Sequence, residues 1–257
     1  MTLQDKNVVV TGAGRGIGRA IAEAAAAQGA RVVVSDVDQA AATEVADTTG
    51  GIAIAADLSK AAEPERLVLE AIATLDRIDV FFGNAGVDLG AGWQVEDRLW
   101  DVAMGVNLMA HVRAARELIP HWLKAGGGHY VVTASAAGLL SMVGNAPYSV
   151  SKHAAVAFAE WLSISYASRD IKVQAICPQG VNTQMLQDSG AVKDLLSHDA
   201  LLEPRDVAGQ AIAALSTDAF YVLPHPSVAD YALARVRTPD AWLTGMSRLS
   251  DRVFGDA

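Results

Sequence analysis

Val8-Val9-Val10-Thr11-Gly12-Ala13-Gly14-Arg15-Gly16-Ile17-Gly18 decides the fold. The three valines form an apolar run of strand type, ended by a glycine-rich stretch. Ile17, Ala20, Ile21, Ala24 and Ala25 then recur at helical spacing, and Gly29 sits where that helix would stop. A strand, a glycine turn and a helix in this order make a cradle for phosphate. Glycines let the backbone approach a pyrophosphate, and the helix N-terminus offers unpaired N–H groups with a partial positive charge. The spacing is T-G-x-x-x-G-x-G and not G-x-G-x-x-G, because the sixth position is Ile17 counted from Gly12 and Arg19 counted from Gly14. A glycine-rich turn without a ligand is the plainer alternative; the flanking strand and helix argue for the cradle.

Outward from this turn, apolar runs alternate with helical patterns. Arg31 to Asp36 reads as a second strand, followed by a helix from about Asp38 to Thr48 and a stop at Gly50-Gly51. Ile52 to Ala56 is a third strand, Glu63 to Leu75 a helix and Ile78 to Phe82 a fourth strand. A long helical pattern runs from about Glu96 to Lys124. Tyr130 to Ala134 is a fifth strand, Tyr148 to Ser168 a helix and Ile171 to Ile176 a sixth strand. A helix around Pro204 to Leu215 and a weak strand at Tyr221 to Leu223 complete the series. Val-rich strands without polar alternation belong to a parallel sheet covered on both faces by the intervening helices. The expected architecture is one doubly wound α/β domain spanning residues 1–257. Such sheets bind ligands outside the carboxyl ends of their strands.

The 257 residues are 51% hydrophobic and 19% charged, with a net charge of −9. A chain of this length buries about 70% of its unfolded surface, enough for a core without metal or disulfide support. The apolar content excludes a disordered chain, and the acidic balance argues against a nucleic-acid partner. The one cysteine, Cys177, permits no intrachain disulfide and reads as a buried inert thiol. The histidines show no metal-ligand spacing, and His225 in Pro224-His225-Pro226 stands alone. No signal-peptide pattern opens the chain. Its longest uncharged run, Tyr130 to Ser151, is broken throughout by Ser, Thr, Asn, Gly and Pro, which argues against a membrane span. A soluble cytoplasmic protein without a metal is the expectation.

Asp36 ends the second strand eighteen residues after Gly18. An acidic residue there accepts hydrogen bonds from the adenosine ribose of NAD. It repels the 2′-phosphate of NADP by roughly 2 kcal/mol, or about 30-fold, even with water-like screening. A surface aspartate starting a loop is the alternative. Arg15 points the other way, since a cation there would suit NADP. Asp57, on the same rim, either touches adenine or caps the next helix.

Tyr148 and Lys152 stand one helical turn apart on one face. Ser135 ends the fifth strand thirteen residues before Tyr148, and Asn107 lies within the long helical pattern. Taken with the glycine turn, Asn84-Ala85-Gly86 and Pro178 to Thr183, these motifs resemble those of the short-chain dehydrogenase/reductase family over roughly residues 5–190. The resemblance implies a Rossmann-type fold with a parallel seven-stranded sheet and helices on both faces. It implies NAD as cofactor, held by Gly12, Gly14, Arg15, Gly16, Ile17, Gly18, Asp36, Asp57, Leu58, Asn84, Ala85, Gly86, Tyr148, Lys152, Pro178, Gly180, Val181 and Thr183. Tyr148 would be the general acid and base, and Lys152 would hold the nicotinamide ribose. Ser135 would donate to the substrate oxygen, and Asn107 would position a water in a proton relay. A Lys152 ammonium ~5 Å from the phenol, at an effective dielectric of ~20, would lower the Tyr148 pKa by roughly two units. The chain departs from the family pattern twice: Gly83 replaces the first Asn of Asn-Asn-Ala-Gly, and Gln179 stands where Pro-Gly is usual.

Leu139, Leu140, Met142 and Val143 lie between Ser135 and Tyr148, and Met185 and Leu186 follow Thr183. These residues either pack their loops or border an apolar secondary alcohol or ketone. Residues 180–203 read as a mobile lid over that substrate. The segment 225–257 diverges from the family, and Trp242, Leu243, Met246, Leu249 and Phe254 form an apolar helical face for its own subunit or a partner. The resemblance further implies a homodimer or homotetramer. The expected activity is NAD-dependent interconversion of a secondary alcohol and a ketone. An NADPH-dependent carbonyl reductase and a non-catalytic dinucleotide sensor are the alternatives; Asp36 opposes the first, and the Ser135-Tyr148-Lys152 set opposes the second.

Overall fold

The computed structural model describes residues 1–90, 92–196 and 200–255. The first half alternates β1 (Asn7–Thr11), α1 (Gly16–Ala27), β2 (Arg31–Asp36), α2 (Gln39–Thr49), β3 (Ile52–Ala55), α3 (Glu63–Leu75) and β4 (Val80–Gly83). Next come α4 (Asp97–Met104), a π-helical turn (Gly105–Met109), α5 (Ala110–Ala125), β5 (Gly128–Thr133), the short α6 (Ala137–Leu140), α7 (Ala146–Tyr166) and β6 (Ile171–Ile176). The last part holds the short α8 (Gln184–Gln187) and α9 (Lys193–Leu196), then α10 (Pro204–Ala214), β7 (Tyr221–Val222), α11 (Ser227–Arg237) and α12 (Pro239–Phe254).

The seven strands pair in parallel in the order β3-β2-β1-β4-β5-β6-β7. This is a Rossmann-type sheet, and the order reverses direction between β1 and β4. Every strand face is covered. Val9 of β1 and Tyr130 and Val132 of β5 join Leu67, Ala71, Leu118, Trp122, Ala155 and Leu162 of α3, α5 and α7. Val8, Val10 and Val131 point the other way, onto Ile21, Ala22 and Ala25 of α1 and Val207, Ala208 and Ala211 of α10. Burial on both sides is why these strands read as unbroken apolar runs. Ends are set by local chemistry: Asp38 caps α2 by accepting from Ala40 N and Ala41 N, and Gly50 ends it at φ 63°.

The expected elements are present, with two corrections. The pattern at 96–124 is not one regular helix, because Gly105–Met109 forms a π turn around Asn107. Asp57 does not cap α3, which starts behind Ala62; it accepts instead from Ser59 N at 3.2 Å and Ser59 Oγ at 2.6 Å. No described helix is long and apolar enough to cross a membrane, and no described side chains cluster as metal ligands.

His225, which had no role in the sequence, ties the end of the sheet together. It is buried, its Nδ1 accepts from Gln179 N at 3.1 Å, and its Nε2 reaches the carbonyls of Gly180 at 3.1 Å and Ala200 at 2.9 Å. Only the neutral ring with the proton on Nε2 satisfies all three. His225→Phe would leave those backbone groups unpaired, at a cost of roughly 2–4 kcal/mol. The expected result is a melting temperature lower by about 5–15 °C in a calorimetric scan; an unchanged value would contradict the role.

Two other histidines make the fold acid-sensitive. Burial, helped by the Lys152 charge, pushes His111 down to about 3. Burial, then the Lys172 charge, pushes His129 down to about 4. Both titrate near 6.5 when unfolded. Their contribution is therefore complete above pH 6.5 and is lost as pH falls towards 4 and 3. Each removes up to about 1.4 kcal/mol per pH unit in that window. Urea midpoints measured at pH 7, 6 and 5 are expected to fall progressively, and a flat series would refute this.

Candidate active site

The carboxyl ends of the strands open on a cleft of about 1610 Å³. Pockets for one small ligand are typically ~300–1,000 Å³, so a larger ligand or two together fit here. One end is built on the glycine turn. Gly12 and Gly16 have φ of 60° and 57°, which favour glycine. A Cβ on Gly18 would stand 2.1 Å from Gly12 O and 2.5 Å from Asn84 Nδ2. A Cβ on Gly16 would reach Thr183 Cγ2 at 3.3 Å and begin to fill the space between the turn and the 181–183 segment. The turn is locked to the end of β4: Thr11 Oγ1 accepts from Asn84 N at 2.9 Å and Ala85 N at 3.0 Å, and Asn84 Nδ2 returns to Thr11 O at 3.1 Å.

Gly12, Arg15, Gly16, Ile17, Asp36, Asp57, Leu58, Asn84, Ala85, Gly86, Pro178, Val181 and Thr183 all line this cleft, as do Tyr148 and Lys152. Gly14, Gly18 and Gly180 stand behind that lining and shape its backbone. Gly14 N donates to the Asp36 carboxylate at 2.9 Å, so the acidic residue at the end of β2 also braces the glycine turn. A bare-backbone turn, a helix N-terminus and a carboxylate along one rim fit an extended dinucleotide.

The other end holds the candidate reacting groups. Ser135 follows β5, and its Oγ accepts from Ala137 N at 3.1 Å. Asn145 caps α7 by accepting from Tyr148 N at 3.1 Å, which sets the first turn of the helix that carries both Tyr148 and Lys152. Lys152 is buried; its Nζ donates to Thr133 O at 3.0 Å and lies 5.7 Å from the Tyr148 ring centroid. The electrostatics correct the sequence reading. Burial pushes Tyr148 up to about 12; the Ser135 hydroxyl pulls it back and the Asp88 charge pushes it further up. Burial pushes Lys152 down to about 8. Desolvation of each group outweighs any attraction between them, so with the protein alone the phenol is not brought towards neutrality by its lysine.

Asn107 is buried in the π turn, behind the residues that line the cleft. Its Oδ1 accepts from Val87 N at 2.8 Å, and its Nδ2 donates to Val87 O and Ser151 Oγ, both at 2.9 Å. The side chain thus fastens the strand β4 exit to α7 and is fully engaged. One of the two departures from the family pattern has a local reason. A Cβ on Gly83 would stand 2.6 Å from His111 Nδ1, so glycine makes room for the buried His111–Tyr130 pair, joined at 3.2 Å. Gln179 N donates to His225 Nδ1, a bond glycine would make equally, so nothing in the structure explains the glutamine side chain there.

Leu140, Met142, Val143, Met185 and Leu186 line the substrate end, while Leu139 packs against the core. The C-terminal segment packs on its own subunit: Trp242, Met246, Leu249 and Phe254 face the cleft, and Leu243 is exposed. Phe254 lies against Gly144, where a Cβ would come within 2.1 Å of its ring. Sequence reasoning missed Asp88, which lines the cleft and accepts from Asn145 Nδ2. Cys177 is buried, and burial holds its thiol up at about 12.

Known proteins are similar to this chain in sequence and in fold. The chain is 36% identical over 253 residues to 1-deoxy-11-beta-hydroxypentalenate dehydrogenase of Streptomyces exfoliatus, covering 93% of this chain and 88% of that protein. It is 32% identical over 238 residues to cyclohexanol dehydrogenase of Acinetobacter sp. strain SE19, covering 89% and 94%. A crystal structure of a short chain dehydrogenase/reductase from Burkholderia phymatum in complex with NAD superposes with a TM-score of 0.86 at 29% identity, over 94% of this chain and 96% of that one. The family description short chain dehydrogenase matches residues 6–194, the stretch from β1 into α9 that carries most of the cleft lining. With sheet, glycine turn and reacting groups in one cleft, the chain belongs to the short-chain dehydrogenase/reductase family.

Proposed function

We propose that the protein is an NAD-dependent oxidoreductase interconverting a secondary alcohol and a ketone, with a largely apolar substrate. The observation that carries this reading is the convergence of Ser135, Tyr148 and Lys152 in the same cleft as the glycine turn. NAD bound along the glycine rim supplies the hydride acceptor in oxidation and, reduced, the hydride donor in reduction. The protein's own groups handle the proton and the oxygen. In reduction the Tyr148 hydroxyl would give its proton to the substrate oxygen as the carbonyl becomes an alcohol, leaving the phenolate; in oxidation that phenolate would take the hydroxyl proton back as the carbonyl forms. Ser135 Oγ donates to the substrate oxygen. Lys152, fixed by Thr133 O, places a cation beside the phenol and holds the ribose. In this reading Asn107 positions a water of the proton relay, while its side chain holds the β4 exit against α7.

Asp36 supports NAD over NADP by its charge at the end of β2, and the NAD complex of the Burkholderia phymatum relative agrees with that preference. Cyclohexanol and a hydroxylated pentalenate, printed in the relatives' names, are the kind of alcohol meant. Residues 180–203 serve as the substrate lid, with Met185, Leu186 and Val192 on the cleft wall; Ser197, His198 and Asp199 lie outside the described residues. Assembly as a homodimer or homotetramer belongs to the same reading, and Trp161 and Ile164, exposed on α7, support it.

Tyr148→Phe tests the chemistry. Loss of the phenol is expected to lower kcat by ~100- to 10,000-fold, while NAD still quenches tryptophan fluorescence with unchanged affinity. Turnover within tenfold of the parent would overturn the assignment. Asp36→Ala tests the nucleotide end: the ratio of kcat/KM for NAD over NADP is expected to narrow by about 30-fold, and an unchanged ratio would assign the preference elsewhere.

A further inference from the structure

Asp88 is a carboxylate on an apolar wall. It lines the cleft with Leu140, Met142, Val143, Leu186, Met246 and Leu249. The other acidic lining residues lie elsewhere: Asp36 and Asp57 border the nucleotide end, and Asp188 is exposed and accepts from Gln184 Nε2 at 2.8 Å. Asp88 is half-buried and accepts from Asn145 Nδ2 and the backbone of Gly90. A carboxylate has about four acceptor sites, so capacity remains. The basic residues in the described lining are Arg15, at the nucleotide end, and Lys152, which donates to Thr133 O. No described ion pair reaches Asp88. Burial raises its pKa, the mark of a charge short of compensation. Its position is not accidental to the site either. Asn145 binds Asp88 through one end of its amide and caps Tyr148 N through the other, and Gly92 N donates to Gly144 O at 2.6 Å. The loop after β4 is thus fastened to the start of the catalytic helix.

We propose that Asp88 is a specificity-determining residue that favours alcohols and ketones carrying a second hydrogen-bond donor, a hydroxyl or an ammonium group, over purely apolar ones. This rests on the oxidoreductase reading of the same cleft. A donor from the ligand completes the carboxylate's shell, and an analogue lacking it leaves the carboxylate desolvated without a partner.

The test compares cyclohexanol, trans-1,4-cyclohexanediol and trans-4-aminocyclohexanol with NAD, using the parent protein and Asp88→Asn, which keeps an acceptor oxygen for Asn145. Asp88→Ser serves if the first variant misfolds. The parent is expected to show kcat/KM at least tenfold higher for one of the bifunctional compounds than for cyclohexanol, and the variant a ratio near one. A gain confined to the aminoalcohol identifies an ammonium; a gain for the diol identifies a hydroxyl. Equal ratios in parent and variant, or a parent that prefers cyclohexanol, would overturn the proposal. Tryptophan fluorescence of the NAD complex reads binding separately. Asp88-dependent binding of a bifunctional compound without turnover of any would keep the selectivity and refute the oxidoreductase reading. Turnover without Asp88-dependent selectivity would do the reverse. No binding of any compound would overturn both.

Discussion

The hydrogen bonds between the turn after β1 and the turn after β4 hold the molecule's working end together. These strands are neighbours at the point where the sheet order reverses, so their exits diverge and leave a crevice. Thr11 accepts from two consecutive amides across it, and Asn84 returns to the carbonyls on the first side. Glycine at 18 is what lets α1 start this close to its own turn. Without that approach neither the phosphate cradle nor the floor beneath Gly86 would exist. A Cβ on Gly86 would lie 3.1 Å from Lys152 Nζ, so the same floor limits where the lysine can stand.

Burial works against the charged form of each titrating group around this floor. Lys152 is lowered, Tyr148 and Cys177 are raised and His111 is strongly lowered, all mainly by burial. At neutral pH the tyrosine, the cysteine and the histidine are thus held uncharged, while Lys152, at about 8, lies nearest neutrality and keeps most of its positive charge. Burial raises the Asp88 pKa as well, and its carboxylate charge pushes the phenol upward, which couples that side of the cleft to the proton at Tyr148.

How much of this was readable in advance depended on how far apart the partners are. The strands were legible because a doubly covered sheet demands runs such as Val8-Val9-Val10, and α3 was read to its observed ends because Glu63–Leu75 carries a regular apolar stripe. The reacting residues were legible as motifs. The π turn was not, since one extra residue scarcely disturbs a periodicity summed over many turns. His225 was opaque because its partners are an amide 46 residues away and two carbonyls, which leave no side-chain signature. Asp88 was hidden for the same reason, its amide partner lying 57 residues further on. In the C-terminal segment the stripe of Trp242, Met246 and Leu249 was visible, but which surface it would meet was set only by the fold. The expected lowering of Tyr148 failed because pairwise attraction was weighed without desolvation.

The π turn at Gly105–Met109 divides one long helix into two parts that pack on different neighbours. An inserted residue advances the helical wheel by about 100°. Before the turn, α4 packs against α7; after it, α5 packs against α3 and sends Ala114, Leu118 and Trp122 under the sheet. A regular helix through Asn107 would have to present one stripe to both neighbours, and its apolar face would drift off one of them. The phase shift lets a single rod serve two different neighbours, and it places the one buried amide side chain of that rod at the point where the phase changes.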